Sequence, residues 1–307
     1  MKKISKSKKI FIVILTVIVC TLAVGGLYVN SLLNKTEKTT ISKTHEDLGI
    51  DTTTLPEETK SKDITNIALF GIDAPKGQRG RSDAIMVMTV DNMHNTIKLS
   101  SIMRDSYVSI DGHGTDKINH AYAFGGPQLA IKTLNQNFNL NIKDFITVNF
   151  STLPDIIDAI GGVNMDIKDY EVPHLSALGI TKPGNYTLNG NQALAYSRIR
   201  KSGNGDYERT DRQRAVLNEV FNQITSAGTM KFPSYVSQLL PLTETSLSNM
   251  DILKLGKDAL SVGNLKFSEK RFPQDGFCQG KMINSIYYLT FNKEETIKQM
   301  QDYIFNK

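Results

Sequence analysis

The pattern of charged and apolar positions divides the chain into three stretches. Ile10 to Val29 contains no charged residue. Twenty residues at helical rise span about 30 Å, the thickness of a bilayer's hydrocarbon core. Residues 30–62 are polar, rich in Thr, Lys, Glu and Ser, and read as an extended stalk. From residue 63 onward, apolar runs of strand length alternate with amphipathic segments. The spacing predicts strands at 64–71, 84–90, 96–103, 145–150, 163–167 and 265–272. It predicts helices at 117–124, 127–138, 153–159, 192–197, 208–225, 232–240, 253–262 and 296–304. Gly125-Gly126, Gly161-Gly162 and Gly203-Asn-Gly205 mark turns. Strands alternating with helices argue one layered α/β domain over 63–307.

Residues 1–9 carry Lys2, Lys3, Lys6, Lys8 and Lys9 and no acid. Basic residues beside an apolar span hold that side in the cytoplasm. The expected topology is therefore a cytoplasmic tail (1–9), a single-pass transmembrane anchor (10–29), and a stalk and domain outside the cell membrane. A cleaved signal peptide is the alternative, but the apolar run exceeds the usual core of about 7–15 residues. A lipoprotein signal at Cys20 would need small residues where Val17, Ile18 and Val19 stand. The other cysteine, Cys278, cannot pair with one in lipid, so no disulfide framework is expected.

The formal charge is +5, and the five N-terminal lysines account for all of it. The outer part is near neutral, which argues against a nucleic-acid binder. Its arginines are nevertheless concentrated. Eight of nine lie between residues 79 and 214, and Arg198, Arg200, Arg209, Arg212 and Arg214 fall close together. Arginine's fixed fork of donors suits oxyanions, phosphate above all. There is no P-loop, no dinucleotide fingerprint and no His-Glu-x-x-His, and the five histidines lack metal-site spacing. Asp73 and Asp83 flank a strand-to-strand connection, where two carboxylates can share a hard cation or simply cap a turn and pair with arginine. Arg104-Asp105 sits at another strand end. Arg198 and Arg200 share a face if extended, and Asp206, Arg209 and Gln213 share one face of a helix.

Seven ordered blocks carry a resemblance. They are Asn66-Ile-Ala-Leu-Phe-Gly-Ile-Asp73, Arg81-Ser-Asp83, Ser101-Ile-Met-Arg-Asp105, Lys117-Ile-Asn-His-Ala-Tyr-Ala-Phe-Gly-Gly126, Asp158-Ala-Ile-Gly-Gly-Val163, Leu188-Asn-Gly-Asn-Gln-Ala-Leu-Ala-Tyr-Ser-Arg-Ile-Arg200 and Asp206-Tyr-Glu-Arg-Thr-Asp-Arg-Gln-Arg214. Over residues 64–230 the chain resembles the LytR-CpsA-Psr family of Gram-positive bacteria. Met103 stands where that family commonly has proline, and the last 75 residues carry no matched motif.

The resemblance implies a three-layer α/β/α sandwich with a central mixed sheet, behind one transmembrane helix. It implies transfer of a teichoic acid or capsular polysaccharide from a polyprenyl-pyrophosphate carrier onto peptidoglycan at the membrane, with no nucleic acid involved. On that reading Asp73 and Asp83 match Mg²⁺ ligands, with Mn²⁺ also open. Arg104, Arg198 and Arg200 match a pyrophosphate clamp, and Arg81, Lys117, Arg209 and Gln213 further contacts to the head group. Asp206 is the candidate general base and Asp105 the runner-up. An apolar lipid tunnel would draw on 129–134 and 216–224. Arg212 and Arg214 are left without a ligand, at a solvated edge. The alternative function is a non-catalytic, polyprenyl-pyrophosphate-binding regulator of envelope synthesis.

Overall fold

The computed structural model of the chain describes residues 36–57, 63–72, 74, 79–199, 206–226, 231, 234–235, 238–261 and 266–305. The tail and the apolar run at 10–29 lie outside these. Among the described residues, no helix is long and apolar enough to cross a membrane.

Among the described residues, seven strands form one mixed sheet, in the order β1 (Glu37–Lys38), β10 (Thr243–Thr245), β7 (Asp144–Asn149), β2 (Ile64–Ile72), β3 (Ser82–Asp91), β4 (Thr96–Ile102) and β11 (Lys266–Phe272). β2 pairs parallel with β7 and antiparallel with β3, and β4 pairs parallel with β11. Every residue of β3 is buried, as expected of a central strand covered on both faces. Alternate side chains enter two different cores. Phe70, Ile85, Val87 and Ile102 pack under helices α1 (His120–Phe138) and α7 (Lys293–Phe305). Ile67, Met86, Met88 and Leu99 face the other way, where Leu217 of α5 (Asp206–Ser226) and Ile252 and Leu255 of α6 (Asn249–Ser261) lie on them. Helices therefore cover both faces, as the alternation of elements implied.

A third cluster extends the α5 side. It joins α2 (Leu153–Ala159) and α4 (Gly190–Ser197) to the hairpin of β8 (Val163–Ile167) and β9 (Gly184–Leu188). The short helix α3 (Val172–Leu175) closes it through the fully buried Leu175. The 129–134 and 216–224 stretches, both read as lining one tunnel, face opposite sides of the sheet, so they cannot line the same cavity.

Three expectations need correcting. The helices at 117–124 and 127–138 are one helix, α1, kinked at Gly125 and Gly126; Gly126 takes φ +64°, a left-handed conformation that glycine adopts without strain. Lys117 belongs instead to the hairpin of β5 (Tyr107–Ile110) and β6 (Gly114–Lys117). The hairpin of β12 (Cys278–Ile283) and β13 (Ile286–Phe291) carries exposed residues on β12, so no alternation announced it. The expected helix at 232–240 falls largely outside the described residues.

The stalk is the third correction. Within 30–62, residues 36–57 are packed onto the domain. β1 adds a strand to the sheet, Leu48 is fully buried in the α1 core, and Asn135 Nδ2 donates to Leu48 O at 2.8 Å. Gln128 holds Ser42 N at 2.8 Å. The segment looked like a linker because its apolar anchors, Ile41, Leu48, Ile50 and Leu55, are sparse. Removing the side chain of a buried leucine costs about 2–5 kcal/mol. Leu48→Ala is accordingly expected to lower the unfolding free energy by that amount in urea denaturation, whereas a true stalk would register no change.

Candidate active site

One edge of the sheet collects the chemistry-bearing residues, and the strand directions explain why. β2, β7, β4 and β11 end there, while β3 and β10 begin there, since each of the latter runs antiparallel to its neighbour. The β2–β3 register shifts at Gly71/Ile72, where the chain leaves the sheet for the connection that returns at Ser82. Strand ends are where backbone leaves the ladder and side chains are free to converge, so sites on α/β sheets gather there.

Asp83 is the centre. It is 3% exposed, at the second position of β3. Arg104, just beyond the end of β4 and 6% exposed, donates from Nη1 to Asp83 Oδ1 at 2.7 Å. Asn119 Nδ2 reaches the same oxygen at 3.4 Å. Arg209 Nη2 lies 3.6 Å from Oδ2, near enough for charge attraction but too long for a good hydrogen bond. Asp105 lies between cations too: Oδ1 meets Lys117 Nζ at 2.7 Å and Oδ2 lies 3.5 Å from Arg104 Nε. Lys117 Nζ also sits 5.9 and 5.8 Å from the ring centroids of Tyr287 and Tyr288, so the β12–β13 hairpin borders the site. The backbone locks this arrangement, with Asn119 N donating to Arg104 O, Ser82 N to Asn119 O and Leu289 N to Asp105 O.

The arginine-rich stretch lies on two described elements, of which α5 reaches this edge through Arg209. α4 begins with a capping box, in which Asn189 and Gln192 exchange side-chain-to-backbone hydrogen bonds, both at 3.0 Å. Gly190 opens that helix because a Cβ there would stand 2.3 Å from Pro154 O. The helix ends at Arg198, whose side chain is exposed. On α5, Arg209 and Gln213 are four apart, on one face, and 3% and 4% exposed.

The structure thus brings together Asp83, Arg104, Asp105, Lys117 and Arg209. Gln213 lies on the same face of α5 as Arg209. Arg81 and Arg198 are exposed. Asp73, Arg200 and the side chain of Asp206 lie outside what the structure describes.

One residue of the site went unassigned on the sequence. Asn119 is 2% exposed, and its Oδ1 has no hydrogen-bond partner among the described residues; the same is true of Gln213 Oε1. A buried carbonyl oxygen without a donor is costly. Asn119 Oδ1 and the remaining lone pairs of Asp83 are hard oxygen donors of the kind Mg²⁺ or Mn²⁺ takes. The residues present therefore fit such a cation. Among the described residues no three His, Cys, Asp or Glu side chains gather as a metal-binding group, so a cation here would draw part of its shell from elsewhere. The signal for Asn119 was its place two residues after Lys117 in a matched block.

With this geometry in hand, comparison with known proteins is informative. The family model for LytR_cpsA_psr proteins matches residues 25–304. The chain belongs to the LytR-CpsA-Psr family. The match extends through the last 75 residues, where no motif had been recognised. A polyisoprenyl-teichoic acid–peptidoglycan teichoic acid transferase, TagU, of Bacillus anthracis is 33% identical over 289 residues, covering 92% of each chain. TagU of Bacillus subtilis (strain 168) is 33% identical over 291 residues, covering 92% of this chain and 91% of its own. Among solved structures, TagT bound to LIIa-WTA superposes with a TM-score of 0.63 at 29% identity, over 79% of this chain and 91% of that one. A LytR-CPS2A-psr family protein, YwtF (TagT), with bound octaprenyl pyrophosphate lipid matches with a TM-score of 0.63 at 26% identity, over 86% and 99%.

Two arginines of this LytR-CpsA-Psr chain prove structural, not a solvated edge. Arg212 is 4% exposed; its Nε meets Glu171 Oε1 at 2.6 Å, Nη2 meets Glu208 Oε2 at 3.0 Å, and Nη1 donates to Ile199 O at 3.2 Å. Burial works against its charge, yet the Glu171 and Glu208 carboxylates outweigh that and raise its pKa. Tyr196 beside it is pushed up to about 12, chiefly by burial and then by Glu171, so it stays a neutral phenol. Because Ile199 follows Arg198, Arg212 anchors the backbone next to Arg198. Arg214 Nε meets Glu269 Oε1 at 2.8 Å, and Asn218 Nδ2 bonds the other oxygen, which ties α5 to β11.

Removing one member of a buried ion pair costs about 3–5 kcal/mol because the other charge is stranded. Glu171→Ala should lose stability on that scale in urea denaturation. A loss below about 0.5 kcal/mol, the range of ordinary surface changes, would mean that the pair does not anchor the segment.

Proposed function

We propose that the protein transfers a glycopolymer, a teichoic acid or capsular polysaccharide, from a polyprenyl-pyrophosphate carrier onto peptidoglycan. The observation that carries this reading is the buried carboxylate–guanidinium cluster around Asp83 in a family whose members are named for that transfer. The apolar run at 10–29 would anchor the chain with its domain outside the cell membrane, where lipid-linked donor and wall acceptor both lie.

The chemistry follows from the residue types. A sugar hydroxyl of peptidoglycan attacks the sugar-side phosphorus. The new oxygen–phosphorus bond forms as the bond to the bridging oxygen breaks, polyprenyl phosphate leaves with that oxygen, and the hydroxyl proton passes to a base. Such a reaction asks mainly for positioning and charge stabilisation. Arg104, Arg198 and Arg200 would hold the pyrophosphate, with Arg81, Lys117, Arg209 and Gln213 around it. Asp73 and Asp83, with Asn119 Oδ1, would hold Mg²⁺ or Mn²⁺, which when bound supplies further neutralisation of the phosphate oxygens. Asp206 is the proposed base. Asp105 suits that role less, because its two oxygens already face Lys117 and Arg104. The polyprenyl chain would run beneath α5, on the side of Leu217 and Val216.

A regulator that merely binds the lipid needs affinity for the pyrophosphate, but no extra stabilisation of charge that develops during transfer. The two readings separate on Arg198, which is exposed and so removable without disturbing the core. Arg198→Ala is expected to keep the wild-type melting temperature and to lower kcat about 10²–10³-fold, as for loss of one preorganised donor. Arg104→Lys, which keeps a charge beside Asp83 but loses the fork, should lower kcat on the same scale and also lower the melting temperature, because Arg104 is buried against Asp83. The assay is polymer attachment to peptidoglycan fragments by the full-length protein with lipid-linked donor. No attachment by the wild type under any Mg²⁺ or Mn²⁺ concentration would leave the regulator reading.

A further inference from the structure

A cavity opens at the same edge of the sheet, on its α1 side. It holds about 400 Å³ and lies between the N-terminal segment, the kink of α1 and the ends of β2, β7 and β10. Its polar lining includes Glu37, Glu244, Arg79, Asn149 and Thr152, and Tyr122 contributes an aromatic wall. Three links place it beside the ionic cluster. Tyr122 is one helical turn beyond Asn119, whose amide touches Asp83. Ile72 ends β2 at the connection that returns to Asp83. Arg79 stands two residues before Arg81 on that same connection.

The lining says what could occupy it. Its volume is near the lower end of the roughly 300–1,000 Å³ typical of small-molecule sites, so a short stretch of chain fits and a folded partner does not. Carboxylates, amides and hydroxyls mixed with an aromatic ring and the aliphatic edges of Ile72, Pro127 and Leu242 suit a sugar, which has hydroxyls around its rim and C–H faces. The ionic side chains are two glutamates and one arginine, a balance that disfavours a phosphate-rich polymer. Glu244 is held in place, its Oε1 accepting from Thr39 Oγ1 at 2.5 Å. Tyr122 bonds Thr147 Oγ1 at 3.1 Å. The cavity also faces the α1 side of the sheet, opposite Leu217 and Val216, which separates it from the path proposed for the lipid.

We infer that this cavity is the acceptor subsite: it binds an uncharged stretch of glycan so that a sugar hydroxyl is presented to the phosphorus held beside Asp83. Glu37 and Glu244 accept hydroxyl hydrogen bonds, Arg79 and Asn149 donate, and the aliphatic edges of Pro127 and Leu242 take a C–H face. The inference rests on the transfer reading for its purpose, but the binding itself needs no chemistry. Because Glu37 and Thr39 belong to the segment that follows the apolar run, the subsite is complete only with that segment docked.

The test separates the two claims. Full-length protein in detergent micelles is titrated calorimetrically with soluble, polymer-free peptidoglycan glycan strands, in the absence of donor. The wild type should bind, and Glu37→Gln/Glu244→Gln should weaken binding at least fivefold with an unchanged melting temperature. In the transfer assay the same variant should raise KM for glycan while kcat and KM for donor stay put. No binding by the wild type, or equal binding by the variant, overturns the inference. A rise in KM for the donor alone also overturns it, since the cavity would then read the donor's sugars. Glycan binding that depends on the two glutamates without any transfer would sustain the subsite and sink the transfer reading instead.

Discussion

A buried carboxylate cannot stand alone, and the architecture at the sheet edge answers that constraint. Asp83 is 3% exposed, and an isolated charge at that depth costs several kcal/mol after relaxation. Arg104 at 2.7 Å, Asn119 at 3.4 Å and Arg209 at 3.6 Å offset that cost. They come from the end of β4, the start of α1 and the first turn of α5. Those elements belong to both helical layers and the sheet between them. The cluster therefore forms only when all three layers are assembled, and it in turn fixes how they meet.

On the transfer reading, the same pairing would prepare the site for an anion. Guanidinium groups already desolvated and oriented by carboxylates do not have to be stripped of water when a phosphate arrives, and interactions in such surroundings are stronger than in water. The arrangement is hierarchical. Arg104 and Arg209 touch Asp83, whereas Arg212 and Arg214 pair with acids outside that cluster, Glu171, Glu208, Asp211 and Glu269. The three arginines of α5, alike in the sequence, thus divide by helical phase: Arg209 on one face with Gln213, Arg212 on another against Glu171, and Arg214 toward β11.

Much of this was legible beforehand. The alternation of Phe70, Ile72, Ile85 and Val87 with their polar or opposite-facing neighbours carried the central strands, and the matched blocks carried Asp83, Arg104, Asp105, Lys117 and Arg209 into one site. Elements without a strong period were lost. β12 has four consecutive exposed residues, and the segment before β2 hides its anchors among Thr, Lys and Glu. Asn119 went unassigned because an asparagine has no charge to draw attention; only its burial and its unmatched carbonyl oxygen mark it out.

The sequence by itself determined the layered α/β class, the family and which residue types gather, because periodicity and motif order are local properties of the chain. The tertiary structure alone decided which arginines face Asp83 and which are spent on Glu171 and Glu269, and that residues 36–57 complete the domain instead of extending from it. Those outcomes depend on contacts between residues far apart in the chain, such as Arg212 with Glu171 and Leu48 with the α1 core, where burial and charge compensation select one partner among many.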